Sequence, residues 1–314
     1  MPSTSKPIIV VGSINIDLVA TAEVIPAAGE TVLGTDFQIH PGGKGANQAV
    51  AVGRLNYPVQ MIGRVGSDAF GEQLRAQLVS AGVDTNNVMT TDGPSGVALI
   101  VVSRNGENSI VVAPGANAML TPRDLDGRIE VLRRAGIVLC QLEIPEETVE
   151  RLAHICSREG VPLILDPAPA RKLAPEIWRS VAWFTPNETE AAYYLHESNP
   201  SSELVEPAKA AGLLLNKGLG GVILKLGSRG AYIATKDGSN AAISAFPVKA
   251  IDTTAAGDAF NGAFATALML GDEPAEASHF ASAAAAISVT RKGAQPSMPS
   301  RPEVEAMMKT AQPS

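Results

Sequence analysis

Cysteine is nearly absent from the chain: only Cys140 and Cys156 occur among 314 residues, each inside an apolar segment. So small a number gives no disulfide framework and no thiolate metal site, and a reduced, cytoplasmic protein is expected. No apolar run approaches the roughly eighteen residues of a membrane span, and the stretch before the first apolar run is too short to read as a signal or transit peptide. Positive charge is also in deficit, with 25 Lys and Arg against 32 Asp and Glu and a net charge of −7. That balance argues against nucleic acid or an anionic membrane as partner, while leaving room for a local basic cleft. Aromatic residues make up only 4%, whereas hydrophobic residues reach 45% and glycines number 29. The combination suits a glycine-punctuated α/β protein, long enough for one large domain or two smaller ones.

What is present is an alternation of short β-branched runs with helical stretches. Residues 8–11 read as a buried parallel strand, followed by Asn15 and Asp17, which alternate with apolar residues and so share one face of an extended chain. Further strands are expected at 137–142, 161–165, 182–185 and 221–226, and another at 240–248. Helices are expected at 145–159, 188–195, 259–270 and 276–289. Asp17, Glu143, Asp166, Asn187 and Lys225 all fall just after strand ends, where parallel sheets bind ligands. Residues 29–40, 96–103 and 109–113 carry a mixed strand pattern, and the Asn105-Gly106 step signals a hairpin. These segments suggest antiparallel ribbons in two insertions, at about 14–40 and 96–113, forming a small accessory sheet that serves as a lid or a dimer surface.

Two glycine-rich loops open small-residue helices. In the first, Gly42 to Asn47, glycines allow close backbone approach while Lys44 and Asn47 offer donors suited to a polyhydroxylated ligand. The phosphate-loop pattern G-x-x-x-x-G-K-S/T is not met, because Gly45 follows Lys44. In the second, Asp252 to Gly262, the small residues Ala255, Ala256 and Gly257 expose amides at a helix start to an anion. Asp258 then lies in the first turn. It is either a dipole-complementing residue at an ordinary helix start or a base for a hydroxyl attacking a bound phosphate.

Gly42-Gly43-Lys44-Gly45-Ala46-Asn47-Gln48 together with Asp252-Thr253-x-Ala-Ala-Gly-Asp258 resembles the paired signatures of the ribokinase branch of the phosphofructokinase-B sugar kinases. The similarity runs over nearly the whole chain, through segments such as Gln141-Leu142-Glu143, Thr185-Pro186-Asn187-Glu188-Thr189-Glu190 and Leu226-Gly227-Ser228-Arg229-Gly230. It implies a single ribokinase-like α/β domain over 1–314, with a doubly wound, mostly parallel sheet flanked by helices and a small β-sheet lid. It also implies ATP-dependent phosphorylation of D-ribose at the 5-hydroxyl. Asn15, Asp17, Gly43, Lys44, Asn47 and Glu143 would hold the sugar. Asp258 would act as base, with the amides of Ala255, Ala256, Gly257 and Asp258 as anion hole. Nucleotide would be held by Asn187, Lys225, Gly227, Ser228, Gly230, Gly257 and Ser282; relatives carry a histidine at the position of Ser282, and His279 reads as a helix-surface residue. The resemblance assigns Asn187 and Glu190 to magnesium and phosphate, with a solvated helix-face charge as the plain alternative for Glu190. Asp252, Thr254, Ser288, Arg291, Gly293 and Ser297 would form a potassium site, most through backbone carbonyls, with Arg291 and Lys292 equally readable as a surface basic pair. A homodimer formed through the lid strands is expected. Deoxyribose, a nucleoside or a ketohexose remain alternative substrates, and a non-catalytic sugar or nucleotide sensor the alternative to an enzyme.

Overall fold

The protein is described by a computed structural model covering residues 5–195 and 206–310. Among the described residues thirteen strands run in chain order: β1 (Ile8–Val11), β2 (Asn15–Ala22), β3 (Gly34–Gly42), β4 (Val59–Gly66), β5 (Val83–Thr91), β6 (Gly96–Ser103), β7 (Asn108–Ala113), β8 (Ile137–Cys140), β9 (Leu163–Leu165), β10 (Trp183–Phe184), β11 (Gly221–Lys225), β12 (Ala231–Thr235) and β13 (Asn240–Ile243). Nine form one sheet in the order β13-β12-β11-β10-β9-β8-β1-β4-β5, parallel except where β12 and β13 return antiparallel at one edge.

The central strands explain why helices must lie on both faces. β1 and β8 are wholly buried four-residue runs, and period-two alternation sends Ile8 and Val10 into one apolar layer and Ile9 and Val11 into the other. The first layer is closed by the Lys44–Arg54, Ala69–Ser80, Ala256–Leu270 and Pro274–Ser288 helices, the second by helices that include Glu146–Glu159 and Pro207–Leu215. Cys140 and Cys156 are free and buried in the second layer, and burial pushes both thiols up to about 12, so neither is a thiolate at neutral pH.

The Lys44–Arg54 and Ala256–Leu270 helices pack unusually close. A Cβ added at Gly262 would lie 2.6 Å from Ala51 Cβ and 2.9 Å from the Gln48 carbonyl oxygen. The abundance of alanine and glycine in the second helix therefore has a packing cause, and its effect is to bring the starts of both glycine-rich loops to one place.

The remaining four strands form a smaller sheet in the order β3-β2-β6-β7. Its central pair, β2 with β6, is parallel, so the expectation of purely antiparallel ribbons is corrected: both strands leave the main sheet in the same direction, and only the outer pairs are hairpin-like. The Asn105-Gly106 turn is present, with Gly106 at φ +85. β3 begins at Gly34 rather than near residue 29, because β2 ends where Ala22 pairs with Gly34. The strand expected over 240–248 stops at Ile243, because Ile243 pairs with Ala231, the first residue of β12, and the ladder has no partner beyond it.

Gly262→Ala is expected to lower unfolding stability by about 1–3 kcal/mol through overpacking. Urea denaturation measures this, and an unchanged midpoint contradicts the close contact.

Candidate active site

The carboxyl ends of the parallel strands all open on one edge, and there the first glycine-rich loop meets the turn after β1. A Cβ at Gly45 would sit 2.7 Å from the Gly12 carbonyl carbon and from the Ser13 amide nitrogen, so only glycine allows the crossing. The Ala46 amide donates to the Ser13 carbonyl at 2.9 Å. One oxygen of Glu143, Oε2, accepts from Ser13 Oγ at 2.5 Å and from the Lys44 amide at 3.0 Å. Asn15 is held in turn by Asn117, whose Nδ2 donates to Asn15 Oδ1 at 2.7 Å. Asn15 and Asp17 do face the same way, as alternation predicts, and they face this edge.

Asp258 is buried where both loops converge, only 3% exposed. Its Oδ2 accepts from Asn47 Nδ2 at 3.0 Å and its Oδ1 from Gln48 Nε2 at 3.1 Å. Gln48 Nε2 also donates to Asp166 Oδ2 at 2.9 Å, and Gln48 Oε1 accepts from Gln141 Nε2 at 2.7 Å. Lys225 Nζ donates to Asp166 Oδ1 at 2.9 Å. A continuous polar chain thus runs from Asn47 through Asp258, Gln48 and Asp166 to Lys225.

The electrostatics follow from crowding like charges in a poorly solvated space. Asp17 is raised to about 6, first by burial and then by Glu143 and Asp258. Asp258 is also raised, mainly by burial, with Lys44 opposing and Asp166 reinforcing. Burial works against the charge on Lys44, but Asp258, Asp166, Glu143 and Glu190 together outweigh it and raise its pKa. Lys44 is therefore a firmly protonated cation among carboxylates.

Beside this cluster lies a cleft of about 620 Å³, reaching Lys44, Asp166 and Asp258 at its inner end. Ala255, at the N-cap of the Ala256–Leu270 helix, adopts φ +58, a left-handed conformation rare outside glycine, which turns the loop tightly into the helix. The first-turn amides have no intrahelical acceptor, and a Cβ at Gly257 would lie 3.2 Å from Lys225 Nζ. A helix N-terminus and an ammonium group therefore converge on one spot, which suits an anion. Asn187 and Glu190, also on the wall, form a reciprocal helix cap: Asn187 N and Nδ2 donate to the Glu190 carboxylate at 2.8 and 2.9 Å, and the Glu190 amide donates to Asn187 Oδ1 at 2.8 Å. Gly227, Ser228, Gly230, Ser282 and Phe246 line the outer part. His279 is a partly exposed helix residue, as expected, with its ring stacked on Phe246 at 4.8 Å between centroids.

Within the expected cation site, hydrogen bonds join Asp252, Thr254 and Gly293. Asp252 Oδ1 accepts from the Thr254 amide at 2.9 Å and Oδ2 from the Gly293 amide at 2.8 Å, tying the two loops. Ser288 and Ser297 donate their hydroxyls to the carbonyls of Ala285 and Ala294, and Arg291 pairs with Glu303 at 2.5 Å. Among the described residues no cluster of three or more acidic, histidine or cysteine side chains exists to hold a metal. Ser13, Gln48, Asn117, Gln141 and Phe246 were not singled out in the sequence, and Asp166 was noted without a role. Its position after a strand end was the available signal, and Gln48 stands next to Asn47 in the loop.

A buried carboxylate held by amide donors, beside a cleft where a helix N-terminus and an ammonium group converge, describes a phosphoryl-transfer enzyme acting on a small hydroxylated molecule. The chain matches the pfkB family carbohydrate kinase profile over residues 5–301. It is 44% identical to a ribokinase of Bacillus subtilis strain 168, covering 96% of this chain and 99% of that protein. It is 39% identical to a deoxyribokinase of Salmonella typhi, covering 93% and 95%. The solved structure of Arabidopsis thaliana ribokinase complexed with ribose and ATP superposes with a TM-score of 0.88 at 34% identity, covering 98% and 99%. The protein belongs to the pfkB family of carbohydrate kinases.

The raised pKa of Asp17 has a testable sign. Folding favours the protonated form, so stability falls as pH rises from 3.8 toward about 6 and the penalty is complete above that. Asp17→Asn is expected to raise the urea midpoint of the ligand-free protein at pH 8 but not at pH 3.5; a difference independent of pH contradicts the assignment.

Proposed function

We infer that the protein transfers the γ-phosphoryl group of ATP to the 5-hydroxyl of D-ribose, giving ribose 5-phosphate and ADP. The observation that carries this reading is the position of Asp258, buried under hydrogen bonds from Asn47 and Gln48 at the cleft wall that Lys44 and the first turn of the Ala256–Leu270 helix share. Asn15, Asp17, Gly43, Lys44, Asn47 and Glu143 hold the sugar, with Asp17 accepting from its hydroxyls. Asn47 and Gln48 orient the Asp258 carboxylate, which takes the proton as the hydroxyl oxygen bonds to the γ-phosphorus and the bond to the bridging oxygen of ADP breaks. The amides from Ala255 to Asp258 and the Lys225 ammonium stabilise charge on the transferring group. Gly227, Ser228, Gly230 and Ser282 border the nucleotide, with Phe246 as a wall that His279 backs by stacking.

Glu190 and Asn187 offer oxygen atoms already engaged in a cap, which fits a magnesium ion that keeps most of its own waters. Magnesium neutralises phosphate charge when bound. Asp252 ties the Thr254 and Gly293 backbone together through their amides, and a potassium ion there would be held by the carbonyl oxygens of these loops; Arg291 contributes no side-chain oxygen, so its part is confined to its carbonyl. Among the described residues no helix is long and apolar enough to cross a membrane. Our reading is a cytoplasmic enzyme, and the identity to a deoxyribokinase keeps 2-deoxyribose as the second candidate substrate.

The small sheet covers the sugar pocket with its Asp17 face and acts as a lid, whose closure excludes water from the phosphoryl group. On its opposite face Ile39, Leu18, Leu99 and Val111 share one register row, with Phe37 two residues along. Phe37 is 58% exposed, Ile39 44%, Leu99 49% and Val111 62%, an apolar surface suited to the same surface of a second subunit.

ADP release is expected to be fastest with ribose among ribose, 2-deoxyribose, fructose and adenosine, and to fall when potassium is replaced. Asp258→Asn is expected to reduce turnover by a factor on the order of 10² to 10⁴ while ribose still binds by calorimetry; unchanged turnover eliminates Asp258 as base. In sedimentation equilibrium the protein is expected to be a dimer and the Leu99→Lys/Val111→Lys variant a monomer, and a monomeric parent protein refutes that interface.

A further inference from the structure

Asn117 lies in the short 3-10 turn Gly115–Met119, far from the glycine-rich loops in sequence and 2% exposed. It makes three side-chain hydrogen bonds, all to the residues that begin β2. The Ile14 amide donates to Asn117 Oδ1 at 2.9 Å, and Asn117 Nδ2 donates to the Ile14 carbonyl at 3.2 Å and to Asn15 Oδ1 at 2.7 Å. The two backbone groups of Ile14 leave the Asn117 amide one orientation, because an N–H must meet an oxygen and a carbonyl must meet an N–H. With Nδ2 so placed, Asn15 must turn its oxygen inward, since the reverse orientation would set two NH2 groups against each other. Asn15 Nδ2 has no hydrogen bond to a described residue and is left for the pocket.

Small residues surround this arrangement. Asn15 pairs in register with Gly42 and Gly96, and Asp17 with Ala98. A Cβ at Gly96 would lie 2.2 Å from both Asn117 Nδ2 and Asn15 Oδ1, and one at Gly42 would lie 2.2 Å from Asp17 Oδ2. The edge thus presents a donor, Asn15 Nδ2, two residues from an acceptor, the Asp17 carboxylate, and only glycine is tolerated beside them at positions 42 and 96.

The structure assigns Asn117 as a positioning residue for the sugar: by fixing the Asn15 amide as a donor beside the Asp17 acceptor, it sets the enzyme's preference for two neighbouring hydroxyls. This rests on the ribose kinase reading above and extends it to a residue outside the pocket.

Asn117→Asp keeps the size and the acceptor for the Ile14 amide but removes both donated hydrogen bonds, so Asn15 turns its oxygen to the pocket. The expected result is a rise in ribose KM of about tenfold with ATP KM within twofold of the parent. Asn15→Ala is expected to raise ribose KM similarly, and adding Asn117→Asp to it to cause no further rise, since the effect passes through Asn15. If Asn117→Asp does not fold, Gly96→Ala, which pushes the two amides apart, is expected to show the same selective loss. Absence of ribose-dependent ADP release in the parent overturns both this assignment and the reading beneath it. Release in the parent with an unchanged ribose KM in the variants, or defects that multiply in the double variant, overturns the role of Asn117 alone.

Discussion

The structure depends on holding several carboxylates and two ammonium groups in one poorly hydrated space. Asp17, Glu143, Asp166 and Asp258 would repel one another at any such separation without compensation, and Lys44 and Lys225 supply it. The compensation is incomplete on the pocket side, where burial, Glu143 and Asp258 still raise Asp17. A ligand rich in hydroxyls completes it, because each hydroxyl can donate to a carboxylate without adding charge. The site is therefore destabilised when empty in the manner expected of a site prepared for a polyol.

The fold exists to hold that cluster in place. Parallel strands buried on both faces deliver polar residues to one edge, and small residues let two helices approach until Gln48 and Asp258 touch. The same approach aims the start of the Ala256–Leu270 helix at the cleft, so the packing that stabilises the core also sets the anion cradle. Asp252, bonded to two backbone amides, holds the entering loop in the shape that lets Ala255 take its left-handed conformation.

The small sheet divides its labour by face. The period of two places Asn15 and Asp17 on one face, with the Asp258 and Glu143 cluster, and Leu18, with Leu99 and Val111 beside it, on the other. One register therefore governs both the polar cluster and the apolar surface, and a one-residue slip would exchange them.

Much of this was legible in the sequence. Strand and helix positions, the two glycine-rich loops and the polar residues after strand ends depend on periodicity and turn chemistry, which act over a few neighbouring residues. The strand expected to reach residue 248 ends where its partner β12 begins, and the parallel pairing of β2 with β6 lies beyond local pattern because strand direction depends on how distant segments meet. Local pattern could identify Asp258 as a carboxylate at a helix start. Only tertiary structure decided that Gln48, 210 residues away in sequence, would orient it, that Asp166 would join it to Lys225, and that Asn117 would turn Asn15. The sequence by itself determined the chemical inventory and the order of the elements. Burial, charge crowding and amide orientation were fixed by tertiary contact, because each is set by neighbours in space and those neighbours come from remote parts of the chain.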